Sequence, residues 1–385
     1  MSIYLDNAAT SFPKPASVYQ AVDDALRHRG GSPGRGSHHM ALEAGRLLMA
    51  CRDTAAGFFG IRDTSRVVFT GNATEALNLA LFGLLNPGDR VVTSTMEHNA
   101  VLCPLQALQT RGLKVVKVPP GADGRLHPDS VREAVMVDAK ATRLVVLTHA
   151  SNVTGAIQPI EEIGPWCRSL GIPLLVDAAQ TAGYIPVDVE DMGIDLLAVP
   201  GHKHLMGPPG CGFLYVREGL QLTPLLYGGS GSDSGSPLPP EHMPERLESG
   251  TANLPALAGL KAGIDFLEKT GFVNLRRHKK ELMAHLADGL SALPGIRRYG
   301  PTDISLLAGA LSFNLSGLDP AEIAFWLDNE HAICVRAGLH CAPDTHRSLN
   351  TFPRGTVRVS PGYFSRHEDI QALIHALETL SNHGK

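Results

Sequence analysis

At 385 residues, 43% hydrophobic and 19% charged, the chain has the composition of an ordinary globular protein and enough length for two domains rather than one core. Its 34 Lys and Arg against 38 Asp and Glu leave a formal charge of −4 and no basic run, which argues against a nucleic-acid partner. The opening MSIYLDNAAT lacks the basic-then-apolar pattern of a secretory signal, and no stretch reaches the roughly 20 apolar residues of a membrane span, so a cytoplasmic protein with no membrane partner is expected.

From about residue 66 short β-branched runs alternate with segments of helical period, the signature of βαβ units on a mostly parallel sheet. Strands are predicted over residues 66–70, 90–95, 113–118, 143–148, 173–177, 196–199 and 212–216, and their near-continuous apolar character predicts cover on both faces. Between them, residues 74–85, 128–137 and 160–170 repeat apolar positions at three and four, as amphipathic helices do. Residues 227–240, dense in Gly, Ser and Pro, read as a long loop over the surface or a site. Beyond about residue 262 the pattern becomes helix, strands and helix, with 274–293 helical and 309–315 and 333–336 strand-like. The expected division is an N-terminal segment over 1–15, a large α/β domain over 16–261 and a small α+β domain over 262–385.

Six cysteines, at 51, 103, 167, 211, 334 and 341, are scattered without a CxxC pair, against a disulfide framework or a zinc site. Cys51, Cys103, Cys167 and Cys334 have apolar neighbours and are expected in the core.

Four segments carry chemistry. Thr70-Gly71-Asn72-Ala73-Thr74-Glu75 turns from strand into helix, where free amides and the helix dipole suit a phosphate; an ordinary capped helix explains it equally. Asp177, in Val176-Asp177-Ala178-Ala179-Gln180, ends a buried strand, at the edge where ligands of parallel sheets collect. A carboxylate there can keep a pyridinium nitrogen protonated or simply cap a helix. Lys203, in Pro200-Gly201-His202-Lys203-His204, follows the next strand; desolvated there it forms a Schiff base, and solvated it is a surface lysine. Its two flanking histidines lack the third ligand of a metal site. In Arg336-Ala337-Gly338-Leu339-His340-Cys341-Ala342-Pro343 the polar, Gly- and Pro-bearing surroundings favour a reactive thiol over a structural one.

With Leu5-Asp6-Asn7-Ala8-Ala9-Thr10, Glu97-His98-Asn99, Ser151-Asn152-Val153-Thr154-Gly155, Gly250-Thr251-Ala252-Asn253 and Arg358, these segments run nearly end to end. Their joint order resembles the fold-type I pyridoxal-phosphate enzymes, specifically the class V aminotransferase family and its cysteine desulfurase and selenocysteine lyase branch. The resemblance implies an α/β fold with a mostly parallel central sheet, a smaller α+β C-terminal domain and bound pyridoxal 5'-phosphate. It implies that Lys203 forms the Schiff base, that His98 stacks on the ring and moves protons, that Asp177 pairs with the pyridine nitrogen and that Gln180 bonds the phenolic oxygen. Ala73, Thr74 and His202 would hold the phosphate, with Thr251 supplied by the second subunit of a homodimer. Asn152 and Arg358 would grip the substrate carboxylate, a guanidinium being suited to a bidentate hold. Arg35, in a segment similar to a family loop near the site entrance, is a further substrate-binding candidate.

Cys341 closes a Gly-Leu-His-Cys sequence close to the short-loop, group II desulfurases. The resemblance implies that it takes sulfur from L-cysteine as a persulfide, leaves L-alanine and passes sulfur to an acceptor protein. Alternatives on the same scaffold are cleavage of L-selenocysteine, another class V reaction such as transamination or racemisation, and a scaffold without turnover. In one departure from the family, Pro200 stands where Ser or Thr is common, which removes a side-chain phosphate contact; the loop around Gly229-Ser230-Gly231 is the candidate to compensate.

Overall fold

The computed structural model describes residues 2–34, 36–229 and 235–383. A short strand β1 (Ile3–Tyr4) precedes helices α1 (Ala16–His28) and α2 (His39–Phe58). The central region runs β2 (Val67–Thr70), α3 (Ala73–Leu84), β3 (Arg90–Ser94), α4 (Asn99–Gln109), β4 (Lys114–Val118), α5 (Pro128–Met136), β5 (Thr142–Thr148), α6 (Ile160–Ser169), β6 (Leu174–Asp177), β7 (Leu196–Pro200) and β8 (Gly212–Val216). There follow α7 (Leu254–Thr270), α8 (Phe272–Ala292), β9 (Ile296–Tyr299), β10 (Leu311–Leu315), α9 (Pro320–His331), β11 (Ile333–Cys334), β12 (Arg336–Gly338), α10 (Pro343–Ser348), β13 (Thr356–Val359) and α11 (His367–His383).

The seven central strands form one sheet in the order β2-β8-β7-β6-β5-β3-β4. Each pairing that involves β8 is antiparallel and the others are parallel. Both faces are covered, and the alternation along the strands shows how. Val145, Leu147, Leu174 and Val176 enter one core with α2, α5, α6 and α7, whereas Leu144, Val146 and Leu175 enter a second core with α3 and α4. The edge strand β4 is the exception to the expected two-sided cover. Lys114 and Lys117 are exposed on it, charges of the kind that blunt a free edge against further pairing.

Four of the six remaining strands make an antiparallel sheet, β12-β13-β10-β9, with α8, α9 and α11 over its core. β1 pairs with β11, and Leu5 is fully buried in this C-terminal core. Residue 261, where a domain boundary was expected, lies inside α7, and Ile264, Leu267 and Leu275 belong to the core of the large sheet. No described helix is long and apolar enough to cross a membrane.

Two readings of local sequence are corrected. The strand predicted over 333–336 is two strands, because Ile333–Cys334 pairs with β1 while Arg336–Gly338 pairs with β13. Cys51 and Cys167 are buried as expected, but Cys103 is exposed and Cys334 only half-buried. Cys103 shares the outer face of α4 with Gln106 and Thr110, while its chain neighbours Leu102 and Pro104 turn inward. Helical period, not the neighbours' hydrophobicity, decides its burial.

Candidate active site

The site collects at the carboxyl edge of the large sheet. β6 ends in Asp177, paired beside Ala198 of the parallel strand β7, so the segment after β7 brings Lys203 beside the acid. Gly201 makes the turn possible: a Cβ there would lie 2.5 Å from Cys211 Sγ and 3.0 Å from the Cys211 carbonyl. From β2, Asn72 caps α3 by accepting the Glu75 amide, which leaves Ala73 and Thr74 among the first-turn amides without intrahelical acceptors. His98 caps α4 in the same way after β3. Beyond β5, Ser151–Gly155 turns back on itself. Gly155, at φ +72°, leaves no room for a side chain against the Ala310 carbonyl, so β10 of the small sheet abuts the Asn152 turn.

One cavity of about 210 Å³ is lined by Ala73, Thr74, His98, Asn152, Asp177, Gln180, His202, Lys203 and Arg358. Nine of the expected site residues are therefore brought together from both sheets. Arg358, almost fully buried, bonds Asp6 at 2.6 Å and the Asn152 carbonyl at 3.0 Å. Asn152 donates to the His340 carbonyl at 2.6 Å, and Gln180 donates to the Ala8 carbonyl at 3.1 Å. Asn152 Oδ1, Gln180 Oε1 and Arg358 Nε are buried with no hydrogen-bond partner among the described residues. All three belong to residues that line the one cavity, and buried polar groups without partners are rare enough to call for an explanation.

Electrostatics set the protonation states. Burial pushes the Lys203 amine down to about 8; Asp177 opposes that shift and the positive Arg358 and Arg336 reinforce it. Lys203 keeps partial accessibility only because it opens to the cavity. Asp177 is pushed up by burial, against the Lys203 charge and the Ala179 amide. Burial, then Lys203, Arg336 and Arg358, bring His98 down to about 4. A neutral His98 whose Nδ1 accepts the Ala100 amide at 3.0 Å carries its proton on Nε2.

Cys341 is exposed and does not line the cavity wall itself. It stands beside it: Sγ is 3.6 Å from Nη2 of Arg336, which does line the wall. The thiol loop is tied at three points. Asn152 holds the His340 carbonyl, the Asn99 amide holds the Cys341 carbonyl at 2.7 Å, and the His340 ring sits 3.1 Å from the Thr356 carbonyl. His340 and Cys341 both take left-handed φ, 50° and 58°, a costly conformation for such residues that persists only when its surroundings impose it. Thr251 is exposed and lines a second, larger cavity of about 1040 Å³ rather than the first. Arg35 lies outside the described residues, as does the 230–231 part of the proposed compensating loop.

Arg336 and Asp6 lie within the sequence motifs, but the sequence alone assigns them no site role. Arg336 stands directly opposite Arg358 in the β12–β13 ladder. Like charges so placed repel, and among the described residues only Arg358 of the two has a carboxylate partner, in Asp6.

The aminotransferase class-V family model matches residues 3–373. The chain belongs to that family. Among its relatives, a probable cysteine desulfurase of Methanothermobacter thermautotrophicus is 37% identical, over 99% of this chain and 95% of that one. A cysteine desulfurase of Haloferax volcanii is 33% identical, over 98% of this chain and 88% of that one. The apo structure of a cysteine desulfurase from Thermococcus onnurineus superposes with a TM-score of 0.92 at 34% identity, covering 99% and 95% of the two chains. A cysteine desulfurase from Escherichia coli in an S-sulfonic acid form gives 0.86 at 29%, covering 98% and 94%. The fold of this class-V member is accordingly α/β with a mostly parallel central sheet.

Proposed function

We propose that this class-V family member is a pyridoxal-phosphate-dependent cysteine desulfurase that moves sulfur from L-cysteine to Cys341 and releases L-alanine. One observation carries the reading: Lys203, Asp177, His98 and Arg358 converge on one cavity, and an exposed, backbone-pinned thiol stands at its arginine-lined side. The residues fit the cofactor. An amine suited to an aldehyde, an acid for a ring nitrogen, the Gln180 side-chain amide for the phenolic oxygen and the first amides of α3 for a phosphate lie around a single space. Bound there, pyridoxal phosphate supplies an electron sink for charge developing at the substrate Cα.

The protein's own groups do the rest. With its amine pushed down to about 8, Lys203 is partly unprotonated near neutrality and can both hold the aldehyde and carry a proton at Cα. A protonated ring nitrogen would offset the burial that pushes the Asp177 carboxyl up and so favour its charged form. Neutral His98 offers Nε2–H to the reacting face. Arg358, oriented by Asp6 and the Asn152 carbonyl, takes the substrate carboxylate, whose charge also relieves the opposition of Arg358 and Arg336. The thiolate of Cys341 then attacks the substrate sulfur: an S–S bond forms, the C–S bond breaks, and the carbon takes a proton. The balance is thiolate plus cysteine giving persulfide plus alanine, with no external oxidant.

The reading includes a homodimer in which Thr251 completes the phosphate site of the partner subunit, and an acceptor protein that takes the persulfide sulfur. The test is to incubate the pyridoxal-phosphate-loaded protein with L-cysteine and quantify alanine, sulfide and persulfide on Cys341. Equal alanine and sulfur with a Cys341 persulfide is expected. Accumulation of pyridoxamine phosphate, or full alanine formation from cysteine by Cys341→Ala, would refute it. Selenocysteine cleavage surviving in Cys341→Ala would move the assignment to a lyase.

A further inference from the structure

The N-terminal segment ends in a lysine with no evident task. Four donors from residues 10–14 converge on the carbonyl oxygen of His202, the residue before Lys203. They are the Ser11 amide at 3.1 Å, Thr10 Oγ1 at 3.1 Å, Ser11 Oγ at 3.2 Å and Lys14 Nζ at 2.7 Å. Lys14 Nζ also donates to Ser11 Oγ at 2.7 Å. A carbonyl oxygen has two lone pairs, so this one is saturated before the ammonium is counted. Among the described residues Lys14 has no carboxylate within ion-pair distance.

A half-buried cation without a counter-ion is a poor choice if the segment is only a strap, because a neutral donor would satisfy the same carbonyl without the desolvation cost. Its position makes sense beside an anion. His202, one of the residues that the resemblance assigns to the phosphate, lines the cavity, and the charge of Lys14 acts on its ring: burial, then Lys203, then Lys14 push His202 down to about 4. Burial likewise brings Lys14 to about 8.

We infer that Lys14 is a positioning residue for cofactor binding, its ammonium fixing the peptide that precedes Lys203 and setting a positive charge behind His202 for the cofactor phosphate. The inference rests on the reading of the cavity as a pyridoxal-phosphate site. It also answers the departure at Pro200: a charge on the N-terminal segment replaces a hydroxyl missing from the strand end.

The test compares wild type, Lys14→Met, Lys14→Gln and Lys14→Arg as full-length apoprotein, measuring pyridoxal-phosphate affinity by absorbance titration and the unfolding midpoint with and without the cofactor. Met and Gln are expected to weaken binding about tenfold, the loss typical of one charge-assisted hydrogen bond. Arg is expected to restore it. Gln keeps a neutral donor on the carbonyl and serves as the reading if Met does not fold. Lys14→Gln binding as wild type does, or Arg failing as badly as Met, overturns the inference. So does a drop in unfolding midpoint that is the same in apo and loaded forms with affinity unchanged, since that describes a strap alone. A wild-type chain that takes up no cofactor overturns the cavity reading and this inference together, which separates the two failures.

Discussion

Arg336 is the side chain that joins the cavity to the thiol. Its Nη2 lies 3.6 Å from Cys341 Sγ, so a sulfur that carries negative charge has a guanidinium beside it. Arg336→Met is expected to lower the single-turnover rate of Cys341 persulfide formation by about tenfold or more, with pyridoxal-phosphate affinity retained. Rapid-quench measurement of the persulfide checks this, and an unchanged rate removes the role. Lys203 gives a second test at the same scale. In the apoprotein its amine sits near 8 because burial outweighs the opposing charge of Asp177. Reductive labelling of Lys203 by a small aldehyde should therefore rise with pH through a midpoint near 8, and Asp177→Asn, which removes the opposing charge, should move the midpoint lower. Asp177 and Lys203 were legible from sequence because each lies at or just beyond a strand end, a local pattern, whereas His98 came only from the resemblance. Arg336 and Asp6 were not, because their roles come from the β12–β13 register and from an ion pair between the two ends of the chain.

Among the elements, α8 shows what a local pattern does not reveal. Its helical period was readable, yet it carries Lys279 buried, with Nζ 4.4 Å from the Tyr184 ring centre and 3.5 Å from His204 Nδ1, next to Gly309. Burial pushes this amine down to about 7. The folded value lies below the ordinary 10.5, so between those limits the unfolded chain holds the extra proton and stability rises with pH. Below about 7 the full penalty of the buried charge is present. Lys279→Met is therefore expected to stabilise the protein, by on the order of a few kcal/mol at pH 6 less about 1–2 kcal/mol for the lost cation–π contact. The gain should shrink toward pH 9.5. Urea unfolding at the two pH values checks it, and a variant equally destabilised at both would show that Lys279 is held by favourable contacts instead. The split of residues 333–338 into β11 and β12 has the same lesson: the strand-like sequence was visible, but which sheet each half joins depends on partners far along the chain.

At the scale of the whole molecule, the second cavity bears on how two copies of the chain would combine. Arg52 of α2 grips Glu248 with two bonds, at 2.7 and 2.9 Å, and Glu248 accepts the Phe69 amide at 2.6 Å. The segment leading to Thr251 is thus pinned to α2 and β2, on the wall of a cavity of about 1040 Å³ that lacks Lys203. If Thr251 is the phosphate-binding residue of the proposed dimer, its place outside the cavity of its own chain's Lys203 fits service to a second copy. Sequence placed Thr251 only through resemblance, because no spacing within one chain encodes a contact between two. Crossed variants decide the matter. Thr251→Val alone should weaken pyridoxal-phosphate retention about tenfold, the cost of one lost phosphate hydrogen bond. Lys203→Ala alone should form no covalent adduct. In a mixed dimer, the Thr251→Val subunit keeps its Lys203 and receives an intact Thr251 from its Lys203→Ala partner. Such a dimer should therefore hold one tightly bound cofactor, detected by borohydride trapping and mass analysis of each subunit. If Thr251 acts within its own chain, the mixed dimer would contain no tight site, and retention would stay as weak as in Thr251→Val alone.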